Sequence, residues 1–434
     1  MHKHLYRLSG IALILWLMPT SAWAQDDWGD DDDWGDDGAS AVTLNGLVEV
    51  TGAYRVVEDQ TQPSTMLANE ARFRLALSHF TDRAEIAIKS DLLADAATGR
   101  TDFDIRQALI TLQATDALTL QLGRQIMTWG TGDLLFLNDL FPKDFVAFFI
   151  GRNDEFLKAP ANAVRATWYF PELNIDAVWM PRFTPDRYIT GERLSFFDPL
   201  QGQRVGMNQL AAPVEAVLPE ATMEHSEAAL RLFRTVGPYE AALYGYYGFS
   251  KQPTAYDPAS RRLTFAPLQV YGASLRGGHL SGISAAEVAY HHSDLDRNGT
   301  NPLLPNSQLR MLVSHERELR ANLTLGIQYY LEQILNYTAL LENSLNPTFE
   351  PSERRHLVTS RWTYRLRQQT LTLSLFSFWS PNDGDAHLRP VVQRQWSDEV
   401  SFAFGANLFI GDTPTFFGQL EGNANLYARA RYSF

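Results

Sequence analysis

The chain has 434 residues, with 37 Lys+Arg against 50 Asp+Glu, a formal charge of −13 and no cysteine. The missing thiols exclude disulfides, Cys-ligated zinc, iron–sulfur clusters, cysteine nucleophiles and a lipid-anchor cysteine. The acidic balance argues against a nucleic-acid-binding face, and beyond the N-terminus no run approaches the roughly 18 apolar residues of a membrane-spanning helix.

Residues 1–24 read as a cleaved export signal. Lys3 and Arg7 supply the positive start, Ile11–Met18 the short apolar core, and Ala22-Trp23-Ala24 the cleavage site. An uncleaved signal anchor is the alternative. Residues 25–40 form an acidic tail in which Asp26-Asp27-Trp28-Gly29-Asp30-Asp31 is repeated at once over 32–37. Like charges at this density bury nothing, so the tail is expected to be disordered. Setting aside the two leader cations and the eight aspartates of the repeat leaves 35 cations and 42 anions, a net charge of −7. Three readings of the tail stand side by side. Trp28 and Trp34 are docking anchors within an acidic attractor, the tail is merely solubilising, or its carboxylates hold divalent cations weakly.

From residue 41 the dominant period is two. Phe73, Leu75 and Leu77 alternate with Arg72, Arg74 and Ala76. Leu323 to Leu331 and Val400 to Leu408 repeat the pattern. About eighteen such runs begin near 43, 68, 83, 103, 117, 162, 173, 226, 239, 263, 281, 307, 320, 355, 370, 386, 399 and 423. Sixteen strands is the alternative count. Short connections, such as Thr81-Asp82, Gly237-Pro238 and Arg317-Glu318, alternate with long ones near 56–66, 93–102, 128–161 and 184–224. Length, number and this alternation predict an all-β fold, a transmembrane antiparallel β-barrel spanning 41–434 in an outer membrane. A soluble sandwich would share the periodicity but not the loop pattern. The sixteen or so residues between the leader and the first strand are too few for the plug of a TonB-dependent transporter.

The last strand, Leu426-Tyr427-Ala428-Arg429-Ala430-Arg431-Tyr432-Ser433-Phe434, resembles the terminal signal read by the barrel-assembly machinery. A second resemblance rests on Gly123-Arg124-Gln125, Trp129-Gly130 and Pro142-Lys143-Asp144. This stretch is similar to one in a group of proteobacterial outer-membrane barrels distantly like alginate-export porins. That resemblance implies eighteen strands and a possible role beside an inner-membrane transporter.

If the apolar face meets lipid, the other face lines the lumen. That parity puts Arg72, Arg74, Arg106, Arg165, Arg231, Arg310, Arg361, Arg365, Arg389, Arg429 and Arg431 inside, with the acids Glu49, Glu85, Asp91, Asp104 and Glu227. Arg124 sits awkwardly, on the parity of Leu120 and Leu122. With 32 arginines and only five lysines, the lumen would favour anions, because a guanidinium fork pairs bidentately with carboxylate or phosphate. The alternative is a salt-bridge scaffold that holds the wall, with Arg429 and Arg431 meeting lipid phosphates. The connection at 128–161, the third long one, is too apolar for a surface loop, with Phe136, Phe141, Phe145 and Phe148 among its residues. It is expected to fold inward as a constriction, with Arg152, Asp154 and Lys158 pairing with the wall. Packing on the rim is the alternative.

No catalytic constellation stands out. His291-His292-Ser293-Asp294 has the letters of a triad, but consecutive strand residues alternate faces. These readings together predict a non-enzymatic, porin-like channel for small anionic or amphipathic solutes. The alternatives are an outer-membrane component of an envelope-spanning transport complex docked through the tail, and a sealed structural barrel. Expected partners are outer-membrane lipid and lipopolysaccharide, the assembly machinery through Phe434, and a periplasmic or inner-membrane transporter. No cofactor, metal or nucleic acid is expected.

Overall fold

The computed structural model describes residues 42–434, so the leader and the tail, with Trp28 and Trp34, lie outside the described residues. Eighteen strands form one sheet. They are β1 Val42–Arg55, β2 Met66–Phe80, β3 Ala84–Asp95, β4 Arg100–Thr115, β5 Leu118–Gln125 and β6 Ala161–Tyr169. There follow β7 Asn174–Met180, β8 Glu227–Val236, β9 Tyr239–Phe249, β10 Pro267–His279, β11 Gly282–His292 and β12 Gln308–Arg320. The last six are β13 Leu323–Ile334, β14 Arg354–Leu366, β15 Leu371–Ser380, β16 Asp385–Gln395, β17 Val400–Ile410 and β18 Asn425–Ser433. Each pairs antiparallel with its sequence neighbours, and β18 returns to β1 in the register Val48↔Tyr432 and Thr51↔Arg429. Closure leaves the sheet without an open edge, the condition for a β-structure to stand in hydrocarbon.

Alternation decides the two faces. In β2, Phe73, Leu75 and Leu77 are exposed on the outside while Glu70, Arg72 and Arg74 are buried inside. Leu243, Val313 and Phe404 continue the apolar exterior around the barrel. Such an exterior is stable against lipid and costly against water. Phe434 closes the seam: its backbone N–H donates to the Gly46 carbonyl at 3.0 Å and Gly46 N–H to the Phe434 carbonyl at 2.8 Å. A Cβ at residue 46 would lie 2.3 Å from the Phe434 ring, so this position requires glycine.

Two local expectations are corrected. Arg317 and Glu318 belong to β12, and the turn comes at Ala321-Asn322, with Asn322 in the left-handed region at φ +65°. The start of β10 moves from 263 to Pro267, because Arg262–Thr264 instead forms a short hairpin with Ala255–Asp257 inside the preceding loop.

A buried apolar cluster lies inside the barrel. The third loop, residues 126–160, with its helix α1 Phe145–Phe149, meets inward wall residues such as Tyr244, Phe376 and Phe378 there. Asp144 caps the helix by accepting the Ala147 N–H at 2.7 Å. The Phe149 carbonyl at its other end takes amide donors from Asn407 at 3.0 Å and Asn425 at 2.9 Å. These wall asparagines are buried because they satisfy a helix end that water cannot reach. The loop therefore enters the lumen rather than capping the rim.

Candidate functional site

The interior arginines divide by partner. Arg72 and Arg74 both grip Asp91, at 2.7 and 2.6 Å, and Arg74 reaches Glu155 of the third loop at 2.7 Å. Arg106 donates to the carbonyls of Lys158 (2.8 Å) and Glu155 (3.2 Å). All three guanidinium groups stand 4.0–5.0 Å from the Phe156 ring, so the ring is a cation–π platform under a charge cluster. Arg165 pairs with Asp176 at 2.5 Å, Arg231 with Glu240 at 2.5 Å and Arg310 with Glu332 at 3.2 Å. Arg431 pairs with Glu49 and Glu155, not with the outside. Arg361 binds Asp133 through both Nε (2.5 Å) and Nη2 (2.9 Å), and Arg389 binds Asp154 at 2.7 Å. Arg365 and Arg429 have no carboxylate partner among the described residues, and Arg429 keeps Nε and Nη1 buried without an acceptor.

The acids on the wall have matching roles. Both carboxylate oxygens of Glu227 accept from the Lys251 ammonium at 2.7 Å, and the ammonium also donates to the Thr184 carbonyl at 3.2 Å. Asp104 meets Arg187 at 2.6 Å, and Glu85 shares the inward parity of Asp91. A β-bulge in β4 turns both Arg106 and Gln107 inward, since Lys89 pairs with Gln107 and Ser90 with Ile105. The bulge explains Arg124: its Nε donates to the Ile105 carbonyl beside the bulge and its Nη2 lies 3.5 Å from Asp104.

The third loop is tied down by these same charges. Arg152, Glu70 and Asp144 form a buried cluster, with Arg152 Nη2 2.5 Å from Glu70. Asp154 and Glu155 end the loop on wall arginines. Burial pushes both carboxyls up, but Arg389 on Asp154, and Arg74 and Arg431 on Glu155, outweigh it and hold them below the ordinary range. Lys158 turns instead to the Thr128 hydroxyl at 2.9 Å, so the expected wall contact of its ammonium is replaced by one within the loop. Phe145 and Phe148 pack on Phe149 at 6.4 and 5.2 Å, and Phe148 reaches Phe378 on the wall at 6.4 Å. Phe141 packs edge-on to Trp129 at 5.1 Å, and Lys143 stands 4.6 Å from the Phe136 ring.

Sequence reasoning underrated the fourth loop, residues 181–226. Arg187 N–H donates to the Lys143 carbonyl at 2.8 Å, and Phe145 N–H to the Arg187 carbonyl at 3.1 Å, so the loop adds an edge to the third loop's own backbone pairing. Asp186 beside it accepts the Lys143 N–H at 2.7 Å and the Gln252 amide at 2.7 Å. Burial pushes its carboxyl up to about 6 against the opposing pull of Lys143. The composition of this loop is polar and gave no hint of descent.

The loops divide the lumen. On the long-loop side lies a cavity of about 370 Å³ walled by Phe136, Phe145, Phe148 and Phe417, with Lys251 and Arg355 set among them. On the short-turn side lies a cavity of about 570 Å³. Asp133 and Asp154 reach into it from the loop, and Arg361, Arg365, Arg389, Arg429 and the single wall acid Glu316 line it among the hydroxyls of Thr324, Thr363 and Thr372. The triad letters do not form one site, although His292 Nε2 lies 3.7 Å from Asp294. His291 is buried on the Leu137 carbonyl, Ser293 N–H donates to Ser307 Oγ, and Asp294 pairs with Arg297.

No family model and no curated protein matches the chain. Among solved structures it is similar to OccD3 (OpdP) of Pseudomonas aeruginosa, at 10% identity and TM-score 0.53 over 91% of each chain. It is similar to OccAB1 of Acinetobacter baumannii at 8% identity and TM-score 0.53, covering 92% of this chain and 98% of that one. It is likewise similar to OccK11 (OpdR) of P. aeruginosa, at 10% identity and TM-score 0.52 over 91% and 96%. Likeness at this identity is likeness of fold: the chain is a porin-like outer-membrane β-barrel of eighteen strands.

Proposed function

We propose that this barrel is a passive, non-catalytic channel for small anionic or amphipathic solutes, narrowed by its third loop. The observation that carries the reading is the pair Arg365 and Arg429. Both face the larger cavity without a carboxylate partner among the described residues. Arginines paired with wall acids only hold the barrel together, whereas the excess of four guanidinium groups over the three carboxylates Asp133, Asp154 and Glu316 in this cavity leaves a positive field in the path and can replace part of an anion's hydration. The aromatic cavity on the other side of the loop supplies apolar contact for the rest of an amphipathic solute. The test is single-channel conductance of the refolded protein with reversal potential under a KCl gradient. Chloride preference is expected, and Arg365→Gln with Arg429→Gln should reduce it. A cation preference in the unmodified protein overturns the reading.

A further inference from the structure

The tip of the third loop carries its own anion onto a wall arginine. Asp133 lies on Arg361 in a bidentate pair, with side chains 42% and 28% exposed. The scaffold pairs are closed by comparison: Arg74–Asp91 is 7% and 0% exposed, and Arg152–Glu70 9% and 3%. An exposed pair is weak and can be exchanged, whereas a buried one resists because either partner alone would be left without water or countercharge.

The backbone around Asp133 is held as a separate unit. The base of the tip is tied by Glu287, which accepts the Thr131 N–H at 2.6 Å and the Asn138 N–H at 3.0 Å. The polar ties of the apex are Arg361 and Gln328, which accepts the Asp133 N–H at 2.7 Å and donates to the Asp133 carbonyl at 2.8 Å, while Leu134, Leu135 and Phe136 pack against the apolar cluster. Next to it Leu134 stands at φ +60°, a left-handed conformation unfavourable for a branched side chain. Asp133 faces the arginine-rich cavity, while Leu134 and Leu135 face the aromatic one. The apex is thus part of the partition between the two.

We propose that Asp133 is a tethered stand-in for the anionic group of the solute. A solute carboxylate on the Arg361 fork displaces the Asp133 carboxylate, the apex leaves Gln328, Leu134 relaxes out of its left-handed conformation, and the partition opens. This inference rests on the channel reading above. A tethered acid competes at an effective concentration of about millimolar order, which sets the solute threshold.

The test is single-channel recording of the full chain in planar bilayers at low ionic strength. Potassium acetate is titrated against chloride on each face at constant ionic strength. In the unmodified protein, acetate should raise the conductance several-fold over the millimolar range. Asp133→Asn, which keeps the shape and removes the charge, should raise it several-fold without acetate and abolish the acetate response. Gln328→Leu, which loosens the apex without touching the ion pair, should shift the response to lower acetate. If both variants conduct and respond as the unmodified protein does while chloride preference persists, the latch is wrong and the anion channel stands. If even deletion of residues 132–136 leaves the barrel silent, the channel reading fails and the latch with it.

Discussion

Arg72 and Arg365 look alike in the sequence, each an inward arginine between outward side chains, yet their environments differ. Arg72 shares Asp91 with Arg74 and lies over Phe156, whereas Arg365 opens onto the larger cavity. Arg152 belongs to the buried class. Arg152→Met leaves Glu70 buried without its main countercharge and should destabilise the folded barrel by about 3–5 kcal/mol. Denaturation midpoints in detergent would show it. A loss below about 1 kcal/mol would mean that Arg193, 3.5 Å from Glu70, compensates. Gly123 makes the opposite kind of demand. Its φ is +122° and a Cβ there would lie 2.1 Å from the Ala108 carbonyl, so Gly123→Ala should disturb the β4–β5 ladder beside the bulge. The check is a lowered denaturation midpoint, and an unchanged one would refute the strain argument.

At the scale of elements, the third loop stays inside because α1 caps itself and buries its aromatics, and because the fourth loop adds backbone pairing at Lys143 and Arg187. Asp186 couples that docking to pH. Its carboxyl is pushed up by burial to about 6, against an ordinary 3.8, so between these values the docked protein keeps a proton that an undocked loop has lost. The contribution is therefore fully present below about pH 4 and is lost as pH rises through about 6, by up to ~3 kcal/mol. Hydrogen exchange at the Lys143 and Arg187 amides, corrected for intrinsic rates, should show protection falling over this range. Asp186→Asn should flatten the profile, and an unchanged slope in that variant would assign the effect to another group.

For the whole molecule, the apolar exterior and the charged interior are two halves of one alternation, and each constrains substitutions differently. Leu243 is 59% exposed on the outer face of β9. Leu243→Arg should destabilise the barrel by about 2–4 kcal/mol if it sits near the bilayer midplane. Equilibrium unfolding from lipid vesicles measures this, and a neutral result would place Leu243 at the interface instead.

Much of this architecture was legible in the chain. Strand facing follows from a local period of two, and turns and loops punctuate it, so number, order, closure and inward parity could all be read from neighbouring residues. The eighteen expected starts fall within a few residues of the observed ones, with the larger slips at β4, which starts at Arg100 and reduces the long connection expected at 93–102 to residues 96–99, and at β10 and β13, where a loop hairpin and a left-handed Asn322 replace the expected boundary. The apolar third loop was also readable as inward, because that much exposed aromatic surface is unstable in water. What only the tertiary structure decided is which charges remain free. Asp133 meets Arg361 across 228 residues and Asp154 meets Arg389 across 235. Such pairs depend on how far a loop descends into the barrel, which no local periodicity encodes. Net interior charge is a sum over the wall and the loops folded against it, and that sum exists only once the barrel has closed around them.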